Sequence, residues 1–123
     1  MSLLNKLLQS RGRNQVTALK WDERGLVQIV DGEELRLEWT QIASIDAYKR
    51  DCFAVDQIRL LLGDSNALVL MEVSEEDQGY EEFVKTLPHN LPGCLSLEEW
   101  FSNVAFPPFE NCRMTIYARA SAL

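Results

Sequence analysis

The chain has 123 residues, with 46% hydrophobic and 25% charged residues and a formal charge of −7. That composition fits one globular domain spanning residues 1–123 and excludes a low-complexity or fibrous protein. An isoelectric point near 4.7 disfavours phosphate and nucleic acid as partners, because such binding rests on accumulated positive charge.

The charge is unevenly placed. Residues 1–60 carry nine basic and nine acidic side chains, whereas residues 61–123 carry three basic and ten acidic ones. The acidic excess is densest along Glu72, Glu75, Glu76, Asp77, Glu81 and Glu82. A field of one sign favours cationic partners, so these six carboxylates form the candidate partner-binding surface, with Glu98 and Glu99 next in line.

In chain order, Leu3, Leu4, Leu7 and Leu8 predict a short leading helix, with a linker completing residues 1–14. Asn5 and Lys6 interrupt the apolar stretch, which argues against a signal peptide. No apolar run approaches the roughly 18 residues of a membrane span, so a cytoplasmic location without membrane contact is expected.

From Val16 the period changes to two. Val16, Ala18 and Trp21 begin a strand, Asp22–Gly25 turns, and Leu26–Val30 follows. Asp31-Gly32 is a strong hairpin signal. Leu35, Leu37 and Trp39 alternate with Arg36 and Glu38 as a half-buried strand. Ile42 to Tyr48 fits either another strand or a helical turn.

Val55–Leu62 and Ala67–Val73 predict a second hairpin, whose long apolar runs suggest central strands covered on both faces. After Gly79, Tyr80, Phe83, Val84 and Leu87 recur at helical spacing, and Pro88 should mark that helix's end. Ser96 and Glu99 fit a capping box for a second helix with Leu97, Trp100, Phe101 and Val104 buried. Phe106-Pro107-Pro108-Phe109 ends it, a strand through Met114, Ile116 and Ala118 returns, and residues 120–123 form a tail.

The expected fold class is therefore α+β: a bent, mostly antiparallel sheet or partial barrel, loosely pleckstrin-homology-like. Two helices are inserted before the last strand. Trp39, Tyr80, Phe83, Trp100 and Phe101 are expected in one core.

Catalytic chemistry is hard to find. The sole histidine, His89, is five residues from Cys94 in a Pro/Gly turn, and a nucleophile–base couple there lacks an orienting group. Three cysteines at wide spacing suggest neither a disulfide framework nor a zinc site. Glu75-Glu76-Asp77 lacks the alternation of a calcium loop, and Gly63-Asp64-Ser65 is no phosphate loop. No cofactor and no metal is expected. Lys49, Arg50 and Arg59, interleaved with Asp46, Asp51 and Asp56, are too dilute for nucleic acid. Tyr48, Lys49, Arg50 and Phe53 form an alternative site for a peptide or small ligand.

The stretch Trp39–Asp51 with Asp56-Gln57-Ile58, then Gly79-Tyr80 through Leu91-Pro92-Gly93-Cys94, Trp100–Asn111 and Ile116–Arg119, resembles a family of small, acidic, uncharacterised bacterial proteins. The resemblance covers residues 35–119. Some members are encoded beside Rhs-type or other polymorphic toxins, and such neighbours are commonly immunity proteins. The resemblance implies a cytosolic, non-catalytic protein that occludes a toxin, with a cationic toxin domain as partner, and carries over no catalytic residues. The oligomeric state is left open.

Overall fold

The computed structural model describes residues 17–52, 55–106 and 112–119. The expected leading helix and linker (1–14), Val16, Phe53, Phe109 and the tail (120–123) lie outside the described residues, as do the two prolines that follow Phe106.

Among the described residues, seven strands form two antiparallel sheets. β1 (Thr17–Trp21), β2 (Gly25–Val30) and β3 (Glu33–Glu38) make a three-stranded sheet in chain order. β4 (Ser44–Cys52), β5 (Val55–Gly63), β6 (Val69–Ser74) and β7 (Arg113–Ala118) make a four-stranded sheet of order β6-β5-β4-β7. Helices α1 (Tyr80–Asn90) and α2 (Leu97–Ala105) precede β7, as expected from the sequence.

Local chemistry accounts for the hairpins. Asp22 Oδ1 accepts the backbone N–H groups of Arg24 and Gly25 at 2.9 and 3.2 Å, closing the first turn and holding the Asp22 carboxyl below its usual range. Asp31 and Gly32 both take positive φ, 51° and 78°. Their backbone therefore turns with the twist that the flanking strands require. Of the two alternatives for Ile42 to Tyr48 the strand is realised, as β4, while β3 stops at Glu38 and Trp39, expected in that strand, begins a single 3₁₀ turn (Trp39–Gln41).

The sheet is not a partial barrel. β3 and β4 are consecutive, yet among the described residues no ladder joins the two sheets. The 3₁₀ turn redirects the chain between them, and packing takes over where backbone pairing stops. Another correction concerns β6, expected to be central: it is an edge strand, although Met71, Glu72, Val73 and Ser74 are all buried. Pro88 lies inside the last turn of α1, which continues to Asn90; its missing N–H removes the helical donor of one carbonyl, that of Val84 four residues back.

The core lies between the sheets and under the helices. β2 contributes Leu26 and Val30, β4 Ile45 and Ala47, β5 Leu60 and Leu62, and β7 Ile116. Phe83 of α1 meets Trp21 edge-on at 5.5 Å and stacks on Trp39 at 6.2 Å, so one helical side chain joins β1 to the end of β3. Trp39 is held by its indole N–H, which donates to the Asp22 carbonyl at 2.9 Å. Trp100 is fully buried. Phe101, placed in the same core by the sequence pattern, is 38% exposed, and Tyr80 is only half-buried.

At Gly25 an added Cβ would sit 2.1 Å from the Leu37 carbonyl oxygen, so Gly25→Ala forces β2 and β3 apart. Urea titration should show a loss of about 1–3 kcal/mol for that change. Phe83→Ala, which empties the space between two tryptophans, should lose about 3–5 kcal/mol.

Candidate functional site

The acidic segment is built around a tight turn between β6 and α1. Asp77 folds back so that its Oδ2 accepts the Ser74 N–H at 2.9 Å and the Gln28 side-chain amide at 3.2 Å. The Glu76 N–H donates to Ser74 Oγ at 3.2 Å, and the Asp77 N–H to the Ser74 carbonyl at 2.9 Å. Gly79 then takes a φ of 86°, with Leu19 O 3.1 Å from where a Cβ would stand. A glycine is needed there both for the left-handed conformation and for the close approach of β1.

This geometry sorts the six expected partner-binding carboxylates into two classes. Glu72 and Asp77 are buried and serve the interior. Glu72 Oε1 accepts the Tyr48 hydroxyl at 2.6 Å and pairs with the Arg59 guanidinium at 3.1 Å. Glu75, Glu76, Glu81 and Glu82 are exposed. Glu75 is anchored, since its Oε1 accepts the Ile58 N–H at 3.0 Å, and Glu81 pairs with Lys85 at 3.1 Å along the helix. Glu99 is taken by its capping box with Ser96, whose hydrogen bonds hold its carboxyl below the usual range. Glu98 is exposed beside it.

Three of the exposed carboxylates border a groove of about 450 Å³ between the β6–α1 turn, α1 and α2. Glu75, Glu81 and Glu82 stand on its rim, and Ile58, Val84, Leu97 and Phe101 supply its apolar surface. Tyr80 lines it as well; burial, reinforced by the charges of Glu75 and Asp77, pushes its phenol far above its ordinary value. The hydroxyl therefore stays protonated. An acidic rim over an apolar floor suits a lysine or arginine, whose aliphatic stem can be buried while its head meets carboxylate.

Sequence reasoning assigned Leu97, Phe101 and Val84 wholly to the core and missed their second use as groove lining. The helical period carried no signal for this: adjacent residues about 100° apart can share one apolar face, as Phe83 and Val84 do on α1, so only the packing of α2 turns Trp100 inward and Phe101 to the groove.

The alternative ligand residues do not all converge. Tyr48 and Arg50 line a cavity of about 430 Å³ with Leu61, Cys112 and Arg113. Lys49 also borders it, but alternation sends its side chain to the opposite face, where the ammonium donates to the Ala105 carbonyl at 3.1 Å and only 2% of the residue is exposed. Arg113 is engaged by Asp46 through Nε and Nη2 at 2.9 and 2.6 Å. Phe53 lies outside the described residues.

Cys94 is buried, and burial pushes its thiol up to about 11. That is the reverse of what an attacking thiolate requires. His89 is exposed in the last turn of α1. Among the described residues no group of three or more His, Cys, Asp or Glu side chains could hold a metal ion, and no helix is long and apolar enough to cross a membrane.

Two predictions follow from this division of roles. Glu72→Gln leaves the buried Arg59 charge poorly compensated and should destabilise the fold by about 3 kcal/mol, whereas Glu82→Gln should stay within about 0.5 kcal/mol in the same titration. The unfolded chain also releases the Cys94 proton at lower pH than the folded one does, so raising the pH from 9 towards 11 should favour unfolding. Cys94→Ala should flatten that part of a stability–pH curve. Searched against protein-family models, curated proteins and solved structures, the chain matches none.

Proposed function

We propose that this chain is a non-catalytic binding protein that neutralises a bacterial toxin by occluding it, working in the cytoplasm without a cofactor. The observation that carries the reading is the groove between α1 and α2, where Glu75, Glu81 and Glu82 surround an apolar floor ending at Phe101. Occlusion needs a stable scaffold and a complementary surface and no chemistry of its own. Toxin domains that act on nucleic acid are cationic for that purpose, and an acidic face gives fast, salt-sensitive association with them. The resemblance of residues 35–119 to a family of which some members are encoded beside toxins suggests the biological setting.

A second reading is a ligand-binding module of pleckstrin-homology-like character that takes a peptide or small molecule. The cavity at Tyr48, Arg50, Leu61 and Arg113 favours it. Its partner would be indifferent to the acidic groove.

A tagged pull-down from the native host at low salt, with a matched high-salt wash, separates the two. The toxin reading expects one basic protein, recovered stoichiometrically and released by salt. Replacing Glu75, Glu81 and Glu82 together by Lys should weaken that complex by about 100-fold or more while leaving the circular dichroism unchanged, and Phe101→Ala by about tenfold. A complex that tolerates the triple reversal would rule the acidic groove out as the contact.

A further inference from the structure

Cationic side chains are few in this acidic chain, and most of those described are already engaged. Lys49 and Arg59 are buried. Lys85 pairs with Glu81 and Arg113 with Asp46, and Arg119 donates to the Thr40 and Ile42 carbonyls. Arg50 borders the cavity on the four-stranded sheet. The others, Lys20, Arg24 and Arg36, line one cavity of about 720 Å³ on the three-stranded sheet. All three are exposed, and this cavity shares no lining residue with the acidic groove.

Strand register gives the cavity its pattern. Lys20 lies opposite Val27, and Val27 opposite Arg36, so the three stand in one row on the outer face of the sheet. Neighbouring strands are about 4.8 Å apart, which sets the Lys20 and Arg36 stems about 10 Å from each other. The half-buried Val27 occupies the space between them. One row further on, Gly25 lies opposite Glu38 and its carbonyl accepts the Asp22 N–H at 2.9 Å, so carboxylates bound that end of the cavity. The Asp22 carboxyl is held low by the amides of Arg24 and Gly25, and further by the charges of Arg24 and Arg36. Both guanidinium groups therefore act on the same place.

We propose that this cavity binds a small organic dicarboxylate laid across the strands, its two carboxylates meeting Lys20 and Arg36 and its apolar spacer resting on Val27. The cation–valine–cation row selects two separated anionic groups over one compact anion. The acidic row at Asp22 and Glu38 repels a carboxylate placed along the strands and so fixes the direction across them. Arg36 is available, because its 3.0 Å pair with Glu34 has side chains 73% and 48% exposed, and such a pair yields readily to a competing carboxylate. Its planar fork takes a carboxylate in two parallel hydrogen bonds. Phosphate esters carry more charge per group and are opposed more strongly by the chain's net charge of −7. The site does not depend on the toxin reading.

Titration of the isotope-labelled full chain with adipate, followed by amide NMR, tests the proposal. At roughly 0.15 M salt the Debye length of about 8 Å screens the net charge and leaves the adjacent cations to act. Adipate should shift the amides of Lys20, Val27 and Arg36 saturably, with a Kd of about 1 mM. Hexanoate, which keeps the apolar body but has one carboxylate, and sulfate, which has the charge but no spacer, should each bind about tenfold more weakly or worse. Lys20→Ala and Arg36→Ala, made separately, should each weaken adipate by about tenfold, with an unchanged melting temperature as the check on the fold. Glu38→Gln should tighten it by about twofold. Shifts that never saturate, sulfate binding as well as adipate, or adipate binding indifferent to both Lys20→Ala and Arg36→Ala would overturn the inference.

Discussion

Two sheets that share no backbone ladder must be joined by side chains, and Gln28 does this at the most demanding point. It lies on the inward face of β2, 1% exposed. Its amide donates to the Glu72 carbonyl on β6 and to the Asp77 carboxylate in the following turn. Both partners are acceptors, so only the NH₂ end can face them. The orientation leaves Gln28 Oε1 without a partner among the described residues, at a cost of about 1–3 kcal/mol. Two donated bonds, one to a charged group, offset that cost and set the position of one sheet against the other.

Much of the remaining structure depends on that contact. Because Asp77 is drawn inward, the Ser74–Gly79 turn closes tightly and α1 starts directly beneath β1. Phe83 is thereby delivered between Trp21 and Trp39. The same turn leaves Glu75 and Glu76 exposed and brings Glu75 to the groove that Glu81 and Glu82 also line. The interior hydrogen bond and the exterior acidic groove are thus two faces of one piece of backbone.

Burial also separates two uses of negative charge. Glu72 sits within hydrogen-bond reach of both Arg59 and Tyr48, an arrangement that a desolvated carboxylate needs and that leaves it unavailable to a partner. The rim carboxylates remain hydrated, contribute little to stability, and keep their field for whatever approaches the groove. The apolar patch between them, ending at the partly exposed Phe101, provides the contact area that charge alone lacks.

The sequence by itself determined several features that depend on near neighbours. Asp31-Gly32 specified its hairpin because both residues tolerate positive φ. Ser96 and Glu99 specified the start of α2 because the capping box closes within four residues. Spacing placed Phe83, Val84 and Leu87 on one face of α1, and the overall α+β order of strands and helices was legible from period alone. The tertiary structure decided what period cannot encode: which strands lie at an edge, that the sheets stay separate, and which carboxylates turn inward. Glu72 and Glu75 look alike in the sequence; one meets Arg59 from the neighbouring strand, the other turns to solvent. A periodic pattern says which residues share a face, but the partner of that face comes from a distant part of the chain. The Gln28 to Glu72 contact spans 44 residues, and no local rule reaches that far.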